Sequence, residues 1–393
     1  AYSNEPLADT LKSTIDRALR VAKVKPPDPD FHRLQESSPI RSRKILIDSL
    51  IVEKDPLDLL ELVQCMIDTA DTSKKIKTVS GSLSLSKSET SVSNSHGVSG
   101  DYQSSNAIVG VSATSQENES VGVGWDRFSG YTIDETAILG CAREASRLSI
   151  LQLHPKKISQ GKFPLLIFPE GFAQLLSNTL VPEVNAENVY NGDSPFRGRI
   201  GETVGSPVLS IYDHGILQDG VGSKPFDDEG YPTQRTELIS KGVLKNFLHN
   251  SYTSNRIKVN NTGNSYRSGG RQGAARYASE PSIAPTNLVV HPGKLSQDEL
   301  ILQIDDGIAV KGFIGAHTAN SRTGEFSLVL YCAFKIEKGE FVYPIREALV
   351  GGSILDILSN TSEVGIDSKQ LSSSSRVGII SPSLIVEDLI VAG

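Results

Sequence analysis

Metal-assisted or nucleophilic chemistry needs imidazoles, thiolates or carboxylates at spacings that one element can present, and this sequence offers few. Its seven histidines, His32, His96, His154, His214, His249, His291 and His317, include no pair at i,i+4 or i,i+5, so no local pair can hold one ion. A site assembled from separate segments stays open. Cys65, Cys141 and Cys332 are far apart, odd in number and without CxxC spacing, which fits reduced thiols in a cytoplasm rather than zinc or redox work. Asp227, Asp228 and Glu229 stand together before Gly230, but a calcium loop needs alternating ligands and a distal glutamate; an acidic turn ahead of a strand is expected. Asp213-His214 is no triad fragment, because triad members are defined by spatial role and not adjacency. Gly122 and Gly124 in VGVGW do not complete GxGxxG, and GxxxxGK[ST] is absent. Arg256, Lys258, Arg267, Arg271 and Arg276 face a single acid, Glu280, within 255–280. An anion could settle there, although a solvated Gly-rich loop is the favoured reading.

The chain that must position these groups has 393 residues, enough for two domains. With 38% hydrophobic and 22% charged residues it can bury a core. A formal charge of −7 gives no general attraction to phosphate backbones, so nucleic acid is not the expected partner. No run of 18 apolar residues occurs, and the opening AYSNEPLADTLKSTIDRALR is polar where a signal peptide needs an apolar stretch. A cytoplasmic protein without membrane association is expected. The start at Ala1, with first residues reading like the tail of a strand, suggests a truncated N-terminus.

Leu11, Ile15, Ala18 and Val21 predict an amphipathic helix, and a second is expected after Asp55-Pro56, with Leu59, Leu60, Val63, Met66, Ile67 and Ala70 on one face. Both should pack on a sheet. Four β-rich runs, SGSLSLSKS, SVSNSHG, NAIVGVSATS and ESVGVGWDRFSG, supply it, with Trp125 expected to pack within this first domain. Segment 134–150 returns to helix, with Cys141 on its apolar face as an inert buried thiol. These elements predict an α+β fold whose N-terminal α/β domain, 1–155, sets helices on a curved antiparallel sheet. The C-terminal domain, 156–393, opens with FPLLIF as a buried strand and is β-rich; TELISKGVLKNFL and AFKIEKGEFVYPI read as hairpins turning at Lys-Gly.

The strings GRIGETVGSPVLSIYD (198–213), KPFDDEGYPTQRTELISKGVLKNFL (224–248), NTGNS (261–265), IGAHTANSRTGEFS (314–327) and SPSLIVEDLIVAG (381–393) resemble the TldD/PmbA family, once labelled modulators of DNA gyrase. The resemblance spans roughly 130–393 and implies a β-rich TldD/PmbA-type C-terminal domain. Within that family one branch carries a zinc-binding HExxxH helix and a C-terminal ligand cysteine, and the PmbA/TldE branch lacks them. Aligned without a gap, the six motif positions fall on Ser177, Asn178, Thr179, Leu180, Val181 and Pro182, and the C-terminal stretch reads LSSSSRVGIIS without cysteine. Ser177, Asn178 and Pro182 supply none of the usual zinc donors, and Pro182 is expected to break the helix at a cost of about 3 kcal/mol.

The resemblance therefore implies a non-catalytic PmbA/TldE-like subunit with no cofactor of its own. It would pair as a heterodimer with a zinc-bearing TldD-like subunit to cleave small or unfolded polypeptides, with a homodimer in isolation as an alternative. Arg235, Asn264 and His317, all in matched strings, are the candidate cleft or peptide contacts, although a surface role is the favoured reading of His317. Two other functions stay open: an autonomous peptidase with a relocated metal or nucleophile, and a regulator linked to DNA gyrase.

Overall fold

The computed structural model describes residues 1–39, 47–48, 51, 55, 57–268, 276–374 and 377–393. Pro56 and Arg271, named above, lie outside the described residues.

Helix α1 (Ala8–Val24) forms as its periodicity predicts, but none of its residues is buried, so the expected packing on a sheet does not occur. Periodicity fixes the helix and not its neighbour. Helix α2 (Asp58–Ala70) does pack, through Leu62, Met66 and Ala70, while Leu60 and Ile67 face outward. Its sequence is apolar nearly all round, which leaves the buried face underdetermined by spacing.

Strands β1 (Ile76–Ser93), β2 (Ser99–Glu117) and β3 (Ser120–Gly130) form an antiparallel sheet in that order. The two serine-rich runs expected as separate strands are one 18-residue strand, because no turn residue interrupts Lys87–Thr90. The turn comes later, where Asn94 Oδ1 accepts the His96 and Val98 amides and Gly97 takes φ 86°. Helix α3 (Glu135–Leu151), capped by the Asp134 carboxylate on the Ala137 amide, lies across this sheet and buries Ile138, Cys141, Ala142, Ala145 and Leu148. VGVGW is explained by that contact: a Cβ at Gly124 would stand 2.2 Å from the Ala145 carbonyl. Burying each large aliphatic chain here is worth about 1.5–3 kcal/mol.

Beyond Leu153 the chain enters a β-rich body. Its strands are β4 (Gly161–Ile167), β5 (Ile211–His214), β6 (Arg235–Ser240), β7 (Val243–Leu244), β8 (Ser265–Tyr266), β9 (Ser282–Ile283), β10 (Asn287–Val290), β11 (Asp306–Ile314), β12 (Glu325–Glu337), β13 (Glu340–Ile345), β14 (Leu349–Ser353), β15 (Thr361–Val364), β16 (Lys369–Ser374), β17 (Val377–Ser381) and β18 (Leu384–Ala392). The order β11-β4-β18-β14-β12, closed by a direct β11–β12 pairing, makes a barrel; β13 and β15 are appended. A second sheet runs β16-β17-β10-β5-β6-β7. Both expected Lys-Gly hairpins form, with Lys241 and Gly242 at φ 47° and 77° and Lys338 and Gly339 at φ 51° and 77°. Consecutive left-handed residues match the twist of the flanking strands.

One core fills the barrel and the second sheet, including Leu165, Ile167, Leu328, Leu330, Val350, Val391, Leu238 and Leu288. A smaller cluster joins the two halves of the molecule, setting Leu148 of α3 against Leu166, Phe168, Cys332 and Phe334. Thus β4 and the helix after it are held from both sides.

Candidate functional site

Strand β4 delivers the chain to helix α4 (Pro169–Leu175), with proline at its first position where no amide partner is needed. The helix then widens into a π turn, Leu176–Leu180, and finishes as Val181–Glu183. Pro182 does not break it, contrary to the sequence expectation. The Val181 amide reaches back five residues to the Leu176 carbonyl, so the turn leading into Pro182 follows an i,i+5 pattern and not the ordinary helical period in which an interior proline is a breaker. Asn178 Nδ2 and Thr179 Oγ1 donate to the Gln174 and Leu175 carbonyls at 2.8 and 2.6 Å, tying the widened turn to α4.

This geometry bears on positions 177–182, which the resemblance aligns with the HExxxH motif. On an ordinary helix residues five apart diverge by about 140°; with a π turn of roughly 4.4 residues they differ by only about 50°. Ser177 and Pro182 therefore share a face, and Ser177, Asn178 and Pro182 are half-buried while Thr179 and Leu180 are buried. The backbone suits two ligands at i and i+5, but the side chains do not fit zinc. They present a hydroxyl, an amide already donating to its own helix, and a proline ring, with no imidazole, thiolate or carboxylate. Among the described residues no group of three or more His, Cys, Asp or Glu is placed to hold a metal ion. One residue on, Glu183 is fully buried, and neither carboxylate oxygen has a hydrogen-bond partner among the described residues; burial pushes its carboxyl up to about 7.

At the other end of α4 lies a cluster that sequence reasoning missed. Glu170, in its first turn, meets Lys311 of β11, Lys369 of β16 and Asp126 of β3. Lys369 Nζ is 2.5 Å from Asp126 Oδ1 and 2.6 Å from Glu170 Oε1; Lys311 Nζ is 3.3 and 3.1 Å from the same atoms. Two cations and two anions thus share one buried pocket, with Glu144 3.9 Å from Lys311. Burial opposes ionisation of Glu170, yet Lys311 and Lys369 outweigh it and hold its carboxyl well below the usual range. Asp126 is the weaker acid of the two, raised by burial in spite of both lysines. Burial also pushes the neighbouring Cys141 and Cys332 thiols up to about 12, so both are inert at neutral pH, as expected for Cys141. A cavity of about 410 Å³ opens beside the cluster, lined by Asp126, Tyr131, Cys141, Asp219, Lys369 and Gln370. The available sequence signal was Lys311 itself, a lysine inside the otherwise apolar run GIAVKGFIG.

Trp125, expected to pack within its own half, instead stacks on Tyr331 of β12 at 6.2 Å between ring centroids, with Lys311 Nζ 5.8 Å from its ring. Alternation along β3 turns it to the far side of the sheet, where the barrel supplies the partner.

The candidate cleft residues lie in three separate places. Arg235, at the start of β6, is exposed, stacks over Tyr212 at 4.3 Å and stands 3.6 Å from Glu237. Asn264 is buried and donates to Asp213 Oδ2 at 2.7 Å and to the Ala284 carbonyl. Asp213 also accepts from Thr286, and burial pushes its carboxyl up to about 6, so it braces the sheet. His317 is exposed on the 3₁₀ turn after β11. The acidic string is the expected turn: Asp227 accepts the amides of Glu229, Tyr231 and Ser265. Of the basic residues in 255–280, Arg256 pairs with Asp30 and covers Tyr190, and the Arg267 guanidinium donates to the Ser279 carbonyl.

A closed barrel, a companion sheet and a long three-stranded hairpin sheet, with a π-turned helix at their junction, define the scaffold of a metallopeptidase family. Residues 160–393 match the family profile described as the PmbA/TldA metallopeptidase C-terminal domain, and residues 50–153 that of its central domain. The chain belongs to the PmbA/TldD family. It is 27% identical to a metalloprotease of Methanocaldococcus jannaschii, across 93% of this chain and 80% of the relative. To the metalloprotease PmbA of Escherichia coli O157:H7 it is 25% identical, across 100% and 82%. The crystal structure of TldE from Thermococcus kodakarensis superposes with a TM-score of 0.89 at 26% identity, covering 100% of this chain and 86% of that one. No helix among the described residues is long and apolar enough to cross a membrane.

Proposed function

We propose that this chain is the non-catalytic, PmbA/TldE-like subunit of a cytoplasmic TldD/TldE-type metallopeptidase, pairing with a zinc-bearing TldD-like subunit that hydrolyses small or unfolded polypeptides. The observation that supports this reading is the π turn at Leu176–Leu180: it sets residues five apart on one face, while Ser177, Asn178 and Pro182 supply no donor for the ion. The partner supplies the metal and the base that activate water. This chain contributes scaffold and walls, with Arg235 and His317 as its exposed contacts toward an extended peptide. Asn264 acts from beneath through Asp213.

The deciding experiment compares three purified samples: this chain, an HExxxH-bearing homologue from the same cell, and the two co-expressed. Metal content is measured by mass spectrometry and cleavage with an unfolded peptide. The reading expects no stoichiometric zinc and no cleavage by this chain alone, with a heterodimer whose activity exceeds that of the homologue. Stoichiometric zinc with chelator-sensitive cleavage by this chain alone overturns it in favour of an autonomous peptidase.

A further inference from the structure

Helix α3 carries a glycine that no close packing requires. Gly140 stands inside Glu135–Leu151, where glycine costs about 1 kcal/mol against alanine, and a Cβ built there would meet nothing within 4 Å. Gly124, by contrast, is forced by the Ala145 carbonyl. The space beside Gly140 is the cavity of about 410 Å³ between β3, α3 and β16, at the small end of the range of ligand pockets. Its inner end is ionic. Lys369 lines it, and the Lys369 side chain is 27% exposed where that of Lys311 is 5%. An ammonium has three donors; Asp126 and Glu170 take two, which leaves one for an acceptor in the cavity. Glu144, the remaining acid near the lysines, is held by Arg147 through two hydrogen bonds. The outer end is acidic. Asp134 and Asp219 are exposed there, and their side-chain partners are neutral donors, the Ala137 amide and the Tyr131 hydroxyl. Arg127, the other cation of the wall, lies over the Trp125 ring. Gln370 fixes the acidic rim, donating to the Ser129 and Asp219 carbonyls and accepting the Val221 amide.

We propose that this cavity is a binding site for a small zwitterion of the size of a dipeptide, its carboxylate on Lys369 and its ammonium between Asp134 and Asp219. Ligands of other charge leave a group unmatched. A simple amine leaves the Lys369 donor without an acceptor, and a dicarboxylate sets its second charge against the two rim aspartates. Asp126 makes the inner end receptive to an anion. Burial raises its carboxyl, so it accepts a proton readily and leaves two ammonium groups facing the single Glu170 carboxylate, an excess that an incoming carboxylate balances. Gly140 supplies the room for the ligand's own side chains. The products of peptide hydrolysis are of this chemical class, but the site is built from this chain alone and does not depend on the subunit role proposed above.

Isothermal titration calorimetry of the purified chain with L-alanyl-L-alanine tests this, beside N-acetyl-L-alanyl-L-alanine, which lacks the ammonium, and L-alanyl-L-alaninamide, which lacks the carboxylate. Saturable binding of the free dipeptide is expected, with each blocked form at least about tenfold weaker. G140L should fill the cavity and abolish binding while the thermal midpoint holds or rises, since leucine is the better helix residue. Asp219→Asn should weaken the free dipeptide about tenfold and leave the N-acetyl form unchanged, a difference that general damage to the fold does not produce. Asp219 is exposed, so this variant keeps the test decisive even if G140L unfolds. No saturable heat with the free dipeptide at millimolar concentration, or binding that survives G140L in a folded protein, overturns the proposal. Blocked forms that bind as tightly as the free dipeptide overturn the zwitterion assignment.

Discussion

Lys311→Met is the sharpest test of what holds the two halves of the molecule together. The substitution keeps most of the side-chain volume and removes one of two ammonium groups between Asp126 and Glu170. The side chains of Lys311, Asp126 and Glu170 are only 5, 7 and 4% exposed, so water cannot replace the lost partner. Leaving a buried charge uncompensated costs about 3–5 kcal/mol, far above the 0–1 kcal/mol of a surface pair. Lys369 can neutralise one carboxylate, and the other must take a proton. Asp126 is the group already raised by burial, so it protonates first. The sign follows: a carboxyl held above its unfolded value of 3.8 keeps its proton in the fold while the unfolded chain releases it, so the variant loses stability as pH rises through the folded value. Urea unfolding followed by the fluorescence of Trp125, the one tryptophan, reads the event locally because its ring lies beside Lys311. The expected result is a loss of about 3–5 kcal/mol at pH 8, shrinking toward pH 4, with Asp126→Asn in the same background restoring at least about 2 kcal/mol. A loss below about 1 kcal/mol at every pH, or no recovery in the double variant, would refute the reasoning.

Glu183→Gln removes a buried acid whose pKa stands at about 7 against 4.5 unfolded; the wild type pays for that proton as pH rises from 4.5 to 7. The variant should therefore gain about 1–2 kcal/mol at pH 8, after allowance for solvent screening, and nothing at pH 4, measured by urea unfolding. Thr179→Val and Asn178→Ala each remove a hydrogen bond that ties the π turn to α4, and each should cost about 1 kcal/mol in the same assay; no loss in either would mean that packing alone sets the wide turn. The triple variant S177H/N178E/P182H should raise zinc affinity by at least about tenfold in calorimetry, because the π turn already aligns positions 177 and 182. An unchanged affinity would show that the retained backbone is not a ligand scaffold.

Much of the fold was legible because it is written in local rules. Lys241-Gly242 and Lys338-Gly339 each supply two consecutive left-handed residues, which a short hairpin requires; β4 is a short continuous apolar run, and the Cys141 face of α3 repeats with the helical period. Failures came where two elements had to be known together. Pro182 reads as a helix breaker under a 3.6-residue period, and only the i,i+5 closure at Val181 shows that the period itself has changed. The same local blindness explains α1, whose stripe announces a helix but names no surface to cover it.

The ion cluster is the deeper case, because its members come from β3, α4, β11 and β16 and no spacing in the sequence relates them. One half of the inference was nonetheless available: a lysine inside GIAVKGFIG cannot be buried alone, since an isolated charge in the interior costs far more than a strand gains. What the sequence could not name was its partner. Glu170 follows Pro169 at the start of the helix that runs on through the π turn, and its charge is balanced by two lysines of this chain's own scaffold. That helix is anchored at Glu170 by its ion pairs, and its wide turn at Leu176–Leu180 by the Asn178 amide and the Thr179 hydroxyl, which donate to backbone carbonyls one turn earlier.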